Sequence, residues 1–350
     1  FFFAFVPMPS RMAGLLNGGE IRLNTGDAMP VVGLGTWKSS PGDATVAVKC
    51  ALNAGYKLLD CAASYANEAE IGKALAEVFA GGAISRKDIF LVSKCFNTHH
   101  VHNGENRVEE AIVKTLADLQ VNYVDLYLMH WPFAFAQRDL DFPLRLVNGC
   151  PNPKLTITEE YRDTWRAMEA LVDSGRVKAI GVCNFTQAQL HALMAESKTV
   201  PAVNQIEAHP YLSQAELRNF CARHGIHCMA YSPLGSGDSY SGSSAPPKAG
   251  CTLLANPQVN AIASRLGKTA GQVLIRWSIQ SGFVCIPKSA QPARIASNLQ
   301  VLDWELGVAD MELLNGLNED FRYSIGYLPG HYNCSNAPWG SDGKTAYLRE

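Results

Sequence analysis

Several features that mark other protein classes are missing from this chain of 350 residues. No stretch approaches the roughly 20 consecutive apolar residues that a membrane-spanning helix needs. Charged residues make up only 18% of the chain, and the 30 Lys and Arg nearly balance the 32 Asp and Glu. Because neither sign of charge dominates, the composition does not favour binding to nucleic acid or to an acidic membrane.

Paired-cysteine motifs are also missing. The ten cysteines include no CxxC pair, which argues against a zinc site or a disulfide framework. Four of them lie in or beside predicted core strands, where cysteine acts as a small buried hydrophobe. The cluster His99, His100 and His102 lacks a cysteine or carboxylate at matching spacing. We therefore predict a cytoplasmic protein without a metal site.

Seven short apolar runs are present, and each ends at a polar residue able to take part in chemistry. The polar ends are Asp60, Lys94, His130, Asn184, Gln205, Tyr231 with Ser232, and Lys288 with Ser289. An eighth, earlier run ends at Thr36. Near-continuous runs of Val, Ile and Leu are typical of strands that are buried on both faces, as in a parallel sheet.

The segments between these runs are long enough to hold the crossover helices that parallel strands require. Residues 106–120 and 161–174 place apolar side chains at helical spacing, and the second stretch stops at Gly175. Eight such alternations predict an α/β fold, a single (β/α)8 TIM barrel with its active site at the C-terminal ends of the strands. The polar run ends should therefore converge in one place.

We predict one domain over residues 12–350, because no break in composition marks a linker. Residues 1–11 are interpreted as a tag or leader segment that is disordered and lies outside the fold. Residues 235–250 form one low-complexity stretch, rich in Gly, Ser and Pro. Its composition indicates a flexible surface loop, and its place after the seventh strand also allows a lid that closes over a ligand.

Four residues could together deliver a proton: Asp60, Tyr65, Lys94 and His130. Tyrosine is a poor acid, with a free pKa near 10, but the ammonium of Lys94 would lower that pKa. Asp60 offers the lysine a counter-ion, and a neutral His130 could donate a hydrogen bond to a substrate carbonyl. Taken singly, each residue is more often a structural ion pair or a packing residue. Their joint occurrence at consecutive strand ends favours catalysis.

At these residues the sequence resembles the aldo-keto reductase family. LLDCAASYANE resembles the family's signature of an Asp and a Tyr, VSKCF contains its lysine, and YLMHWP contains its histidine. GLGTWK, GVCNF, NQIEAHPY, AYSPLGSGD and IPKSAQPARIASN extend the likeness in order along nearly the whole chain. On these motifs the chain is identified as a member of the family.

The resemblance implies an NADP-dependent oxidoreductase that reduces aldehydes to alcohols by hydride transfer, with aldoses and some ketones as further substrates. Tyr65 would be the general acid, assisted by Lys94 and Asp60, while His130 orients the carbonyl. The implied partner is a small carbonyl compound, with no nucleic acid and no membrane, and the protein is expected to be a monomer.

The resemblance also implies where NADPH would bind. The nicotinamide would rest on Tyr231, Asn184 and Gln205 would bind its carboxamide, and the pyrophosphate would lie under the loop 232–238, which favours the lid. The implied cofactor-binding residues are Thr36, Trp37, Asn184, Gln205, Tyr231, Ser232, Leu234, Ser236, Asp238, Ile286, Pro287, Lys288, Ser289, Arg294 and Asn298.

Preference for NADPH over NADH depends on Lys288, Ser289 and Arg294, which match the family's contacts to the 2′-phosphate. Paired cations and a hydroxyl donor suit this extra dianion.

Two positions depart from the family pattern. Cys183 stands where a serine is common, which weakens one donor to the nicotinamide, and Ser297 stands where a glutamate often contacts the adenine.

The resemblance places Trp37, Trp131, Phe133 and Tyr332 in the wall of the substrate pocket. Aromatic walls around one polar corner suit aldehydes with an apolar or sugar-like body. Each of these residues could equally pack in the core. The irregular, proline-containing insert 134–158 is expected to border the same pocket.

Two alternatives remain open at the level of sequence. The chain could be a sensor or structural barrel that binds NADPH with little turnover. It could also be a barrel isomerase or aldolase that uses Lys94 as a Schiff base, although a nucleophilic lysine must be neutral and Asp60 would oppose this. The lone Gly33-x-Gly35 lacks the third glycine of a dinucleotide-binding fingerprint and is interpreted as a turn.

Overall fold

The computed structural model describes residues 19–135, 161–236 and 252–323, and the backbone of short strands at 146–147, 150–151 and 157–158. The predictions for the leader segment 1–11, for Asp238, for Tyr332 and for the low-complexity stretch beyond residue 236 fall outside these residues.

Within the described residues, eight parallel strands form one sheet in sequential order. They are β1 (Leu34–Gly35), β2 (Leu58–Asp60), β3 (Phe90–Cys95), β4 (Val124–Met129), β5 (Val177–Cys183), β6 (Val203–Glu207), β7 (His227–Tyr231) and β8 (Phe283–Cys285). Parallel bridges from Val32 to Cys285 and from Gly35 to Lys288 join β8 back to β1. The sheet therefore closes on itself, and the predicted (β/α)8 barrel is confirmed.

Helices connect the strands. They are α1 (Asp43–Ala54), α2 (Glu68–Ala80), α3 (Val108–Leu119), α4 (Tyr161–Asp173), α5 (Gln187–Met194), α6 (Ala215–Arg223), α7 (Pro257–Leu266), α8 (Ala270–Gln280), α9 (Pro292–Leu299) and α10 (Val308–Asn315). The two helices predicted over 106–120 and 161–174 are confirmed as α3 and α4. Between β7 and β8 the described chain holds both α7 and α8, and α9 and α10 follow the last strand.

Burial on both faces explains why the strands read as continuous apolar runs. Every residue of β3 and β4 is buried, because one face of the sheet lines the barrel interior and the other lies under the helices. The α3 helix shows the matching pattern, since it buries Val108, Ile112 and Leu119 among others and leaves Glu109 and Glu110 exposed. The core therefore surrounds the sheet.

A short antiparallel hairpin, Glu20–Arg22 with Ala28–Pro30, precedes the barrel. After β4 the chain enters the insert that was predicted to be irregular. Its described parts form two antiparallel strand pairs, Ala134–Phe135 with Ile157–Thr158 and Leu146–Val147 with Cys150–Pro151.

The predicted burial of cysteine is confirmed where the structure describes it. Of the seven free cysteines in the described ranges, six are buried and Cys50 is half-buried. They occupy the positions of small apolar side chains in the core.

Candidate active site

The four residues predicted to deliver a proton lie together at the C-terminal ends of β2, β3 and β4. Asp60 is the last residue of β2, Lys94 is the next-to-last residue of β3, and His130 directly follows β4. Tyr65 lies on a single turn of 3₁₀ helix, Ala63–Tyr65, just after β2. Parallel strands end at the same rim of the barrel, so residues up to 70 positions apart in sequence meet there.

Lys94 is the centre of this cluster. Its Nζ donates to both carboxylate oxygens of Asp60, at 2.8 and 2.9 Å, and to the carbonyl oxygen of Cys61 at 2.8 Å. It also lies 3.1 Å from the hydroxyl oxygen of Tyr65. Lys94 and Asp60 are buried, with exposed fractions of 0% and 2%, so each charge depends on the other for compensation.

This pairing determines the charge of Lys94. Burial lowers the pKa of Lys94, but attraction to Asp60, and then to Tyr65, raises that pKa by more, so that it lies above its ordinary value. The lysine is therefore an ammonium across the physiological pH range.

The pKa of Tyr65 does not follow the prediction. Burial raises the pKa of Tyr65 well above 10; Lys94 lowers it by a smaller amount, and Asp60 raises it further. The predicted influence of Lys94 has the expected sign, but the predicted net lowering is wrong, because the cost of removing a phenolate from water exceeds the attraction of the ammonium. In this structure Tyr65 holds its proton.

His130 is neutral. Burial lowers the pKa of His130 well below its usual value, and Lys94 and then His100 lower it further. The ring lies edge-on to Tyr65, with centroids 6.0 Å apart, and its Nδ1 lies 3.4 Å from the hydroxyl of Ser64. A neutral imidazole carries a single N–H and can donate one hydrogen bond.

Two amide side chains line the next strand ends. Asn184 follows β5 in a left-handed conformation, with φ 64°, donates to the carbonyl of His130 at 3.0 Å and accepts from the hydroxyl of Tyr231 at 2.9 Å. Gln205, on β6, donates to a carboxylate oxygen of Asp60 at 2.7 Å. Cys183 contacts both, with its sulfur 3.2 Å from Asn184 Nδ2 and 3.8 Å from Gln205 Oε1.

The link from Gln205 to Asp60 was not predicted. The two residues are 145 positions apart, and nothing in the local pattern of either run indicates that they meet. The side-chain amide oxygens of Asn184 and Gln205 can each accept a further hydrogen bond, because each oxygen has two lone pairs.

The first and last strands complete the rim. Thr36 is buried and its hydroxyl donates to the carbonyl of Asp60 at 2.8 Å. Gly35 donates from its backbone to Pro287 at 3.1 Å, and Ile286 donates to Ala230 at 3.2 Å. Trp37 is more exposed than these buried rim residues, with 36% of its surface accessible, and the Lys38 ammonium lies over its ring.

The residues predicted to hold a nucleotide lie around β7, β8 and α9. Lys288 and Arg294 are exposed, Ser289 is half-buried and Asn298 is buried. Neither cation has an ion-pair partner among the described residues. After β7, Ser232, Leu234 and Ser236 are all half-buried, and Ser232 adopts a left-handed conformation.

The predicted aromatic wall is only partly accessible. Trp131 and Phe133 are buried, with exposed fractions of 5% and 3%, and their ring centroids are 5.9 Å apart. Trp131 also stacks on His130. Phe133 packs against Phe135. This contact is what we expect if Phe133 packs in the core rather than lining a substrate pocket.

One buried acid near the site was overlooked at the level of sequence. Glu68 opens α2, three residues after Tyr65, and only 3% of its surface is exposed. It accepts a hydrogen bond from Ser93 at 2.6 Å and one from Thr115 at 3.1 Å. The motif ASYANE contains this residue, but a glutamate in the first turn of a helix is normally solvated.

Neither a metal-binding cluster nor a membrane-spanning helix is found in the described ranges. They contain no group of three or more His, Cys, Asp or Glu side chains that could hold a metal ion, and none of their helices is long and apolar enough to cross a membrane.

Comparison with known proteins gives consistent results. Residues 31–319 match the model of the aldo/keto reductase family. Aldo-keto reductase family 1 member A1 of Rattus norvegicus is 45% identical over 311 residues, which cover 89% of this chain and 92% of that protein. Member A1-A of Danio rerio is 47% identical over 307 residues, or 87% and 91% of the two chains. The solved structure of the aldose reductase from Schistosoma japonicum superposes with a TM-score of 0.77 at 38% identity, over 87% of this chain and 94% of the other.

Proposed function

This chain belongs to the aldo/keto reductase family of oxidoreductases, and we propose that it reduces aldehydes to alcohols with NADPH. Aldoses and some ketones are further substrates in this proposal. The observation that supports it most directly is the Lys94 ammonium, which lies between the carboxylate of Asp60 and the hydroxyl of Tyr65.

Tyr65 is proposed as the general acid. Its phenol holds a proton at neutral pH and would give it to the carbonyl oxygen as negative charge develops there. The Lys94 ammonium, 3.1 Å away, would stabilise the phenolate that results. Asp60 keeps the lysine charged and fixes its position through two hydrogen bonds.

His130 is proposed to orient the substrate. A neutral imidazole can donate a hydrogen bond to the carbonyl oxygen without adding a second positive charge beside Lys94. The small edge of His130 that remains exposed, 9% of its surface, would serve this contact. The rings of Phe96 and Trp131 pack against the imidazole and hold its orientation.

The residues at the rim fit a nicotinamide dinucleotide, which when bound supplies the hydride. The amide oxygens of Asn184 and Gln205 can accept from a carboxamide, and the half-buried ring of Tyr231 offers a flat surface beside them. The exposed cations Lys288 and Arg294, which have no ion-pair partner among the described residues, suit a phosphate dianion. They are the reason that we propose NADPH over NADH.

The charge of Lys94 favours this reaction over Schiff-base chemistry. A lysine that attacks a carbonyl must be neutral, whereas three acceptors, two on Asp60 and one on Cys61, hold the Lys94 ammonium in place. Borohydride treatment in the presence of a carbonyl substrate should therefore leave Lys94 unmodified.

A cytoplasmic location and a monomeric state stay predictions.

The proposal is tested by the variant Tyr65→Phe. Loss of the proton donor should lower kcat for an aromatic aldehyde by about 10²- to 10⁴-fold, measured as NADPH oxidation at 340 nm, while the Kd for NADPH changes little. Tyr56→Phe is the matched control for kcat: Tyr56 is also buried, but its hydroxyl donates to the carbonyl of Ile295 on α9 rather than to a member of the proton-delivering cluster.

Two outcomes would contradict the proposal. Near-normal turnover in Tyr65→Phe would exclude this residue as the acid. Tight NADPH binding by the wild type without oxidation by any carbonyl compound in the panel would indicate a sensor or a structural barrel.

A further inference from the structure

The buried glutamate at the start of α2 lies directly behind the proposed proton-delivering pair. Glu68 uses both carboxylate oxygens, accepting at 2.6 Å from Ser93 on β3 and at 3.1 Å from Thr115 on α3. Ser93 and Thr115 are themselves completely buried. Water cannot replace either bond, so each fixes a relative position inside the protein.

These hydrogen bonds link the segment that carries Tyr65 to the strand that carries Lys94. Ser93 precedes Lys94 on the same strand, and its side chain points to the opposite face of the sheet because side chains alternate along a strand. Glu68 follows Tyr65 by three residues, across Ala66, which has φ 56°, and Asn67, which donates to the carbonyl of Thr36 at 2.9 Å. The short segment with Tyr65 is therefore held at its far end by Glu68.

We propose that Glu68 is a positioning residue for the reaction: through Ser93 it fixes the segment that carries Tyr65 against the strand that carries Lys94. This inference rests on the proposed function of those two residues. The Tyr65 hydroxyl lies 3.1 Å from the Lys94 ammonium, and Tyr65 is half-buried on one turn of 3₁₀ helix. Such a turn is weakly held by its own hydrogen bonds.

The charges near Glu68 are consistent with a fixed, internal role. Burial raises the pKa of Glu68 to about 7, although its hydrogen bonds from Ser93 and Thr115 lower that pKa. The charge of Asp118 on α3 raises the pKa further, whereas the charge of Lys94 on β3 lowers it. Burial raises the pKa values of Cys61 and of Tyr127 on β4, and the nearby Glu68 carboxylate raises both further. Glu68 touches neither the proposed substrate site nor the rim, so it acts through the residues that it holds.

The experiment compares the two donors of the same carboxylate. Ser93→Ala and Thr115→Val each remove one hydroxyl from Glu68, but only Ser93 adjoins Lys94. We expect Ser93→Ala and Glu68→Ala to lower kcat about tenfold or more, as a displaced acid would, with the Kd for NADPH within about twofold of the wild type. Thr115→Val should lose stability and keep its kcat.

A conservative replacement guards against simple unfolding. Glu68→Gln retains a carbonyl oxygen and an amide that can bond to both hydroxyls, so kcat should return to within about threefold of the wild type. If Glu68→Ala does not fold, Ser93→Ala carries the test by itself. Equal losses of kcat in Ser93→Ala and Thr115→Val, or unchanged kcat in a folded Glu68→Ala, would overturn the proposal.

A crystallographic readout separates this proposal from the proposed activity. In Ser93→Ala and Glu68→Ala the distance from Tyr65 hydroxyl to Lys94 Nζ should lengthen beyond hydrogen-bond reach, about 3.5 Å, whereas in Thr115→Val it should be preserved. This comparison needs no turnover, so it stands even if the wild type reduces no aldehyde. An unchanged distance in both variants would overturn the positioning role whatever the activity.

Discussion

At the scale of single residues, burial decides what each ionisable group in the site can do. Lys94 stays charged because Asp60 compensates for lost water, whereas Tyr65 stays protonated because its ammonium neighbour compensates only in part. The Lys94 ammonium thus contacts one charged group, the Asp60 carboxylate, and one neutral group, the Tyr65 phenol. In the proposed reaction, Tyr65 would release its proton only when negative charge develops on the carbonyl oxygen.

The proposed cofactor preference can be tested at two exposed residues. Lys288→Ala and Arg294→Ala should each raise the KM for NADPH about tenfold or more, because each removes a charge-assisted bond to the 2′-phosphate. The KM for NADH should change little, as steady-state assays with both cofactors would reveal. Lys87→Ala, which removes an exposed charge from the 3₁₀ turn Arg86–Asp88 before β3, serves as the control. A parallel rise for both cofactors would contradict the phosphate assignment.

The buried carboxyl of Glu68 should make stability depend on pH. Its pKa is about 7 in the folded protein against 4.5 ordinarily, so the folded state binds this proton more tightly than the unfolded state. The free energy of unfolding should therefore fall as pH rises from about 4.5 to about 7, by about 3 kcal/mol from this group.

Glu68→Gln should remove that part of the pH dependence, measured by urea unfolding at pH 5 and pH 8. Glu77→Gln on the same helix is the control, because its side chain is 63% exposed. If the Glu68→Gln variant loses as much stability between these pH values as the wild type, the perturbed carboxyl lies elsewhere.

At the scale of elements, the site depends on how closely helices and strands approach one another. The α2 helix carries Glu68 and packs on α3, which carries Thr115. Gly72 on α2 allows this approach, because a Cβ there would lie 2.1 Å from the carbonyl oxygen of Asp118. The distance between the helices therefore depends on the absence of one methyl group.

Gly72→Ala should consequently separate α2 from α3 and lower the free energy of unfolding by about 3 kcal/mol, measured by urea denaturation. Gly271→Ala on α8 is the matched control, since its nearest neighbour would lie 3.5 Å away and alanine favours helix by up to about 1 kcal/mol. Equal stability changes in the two variants would show that the helix contact at Gly72 is not tight.

At the scale of the whole molecule, closure of the barrel brings the first and last strands together. Gly35 on β1 bonds to Pro287 just after β8, and a Cβ on Gly35 would lie 2.8 Å from the carbonyl oxygen of Ile286. The residues proposed to bind the nucleotide, after β8, are thereby placed beside Thr36 and Asp60. Closure thus brings the first and last strands of the barrel together at one rim.

Gly35→Ala should weaken closure and lower the free energy of unfolding by about 1–3 kcal/mol, while unfolding remains a single transition. Calorimetry would measure the decrease in Tm, with Gly271→Ala again as the control. A Gly35→Ala variant as stable as the wild type would mean that β1 and β8 tolerate a wider spacing.

Much of the architecture could be predicted because it depends on local patterns. Each buried run, such as 124–129 before His130, carries its own hydrophobic signal, and the order of strands and helices then favours one parallel barrel. The meeting of Asp60, Lys94 and His130 followed from that order alone. Helix boundaries were also close, since α4 ends at Asp173 just before Gly175.

What the sequence by itself determined, then, is the family, the order of the strands and the rim at which their polar ends meet, because hydrophobic period and motif order are properties of neighbouring residues. Only the tertiary structure decided that Gln205 bonds to Asp60, that Glu68 accepts a hydrogen bond from Ser93 beside Lys94, and that Tyr65 keeps its proton. These depend on contacts between distant segments and on the loss of water around each group, neither of which is encoded in any local stretch of the chain.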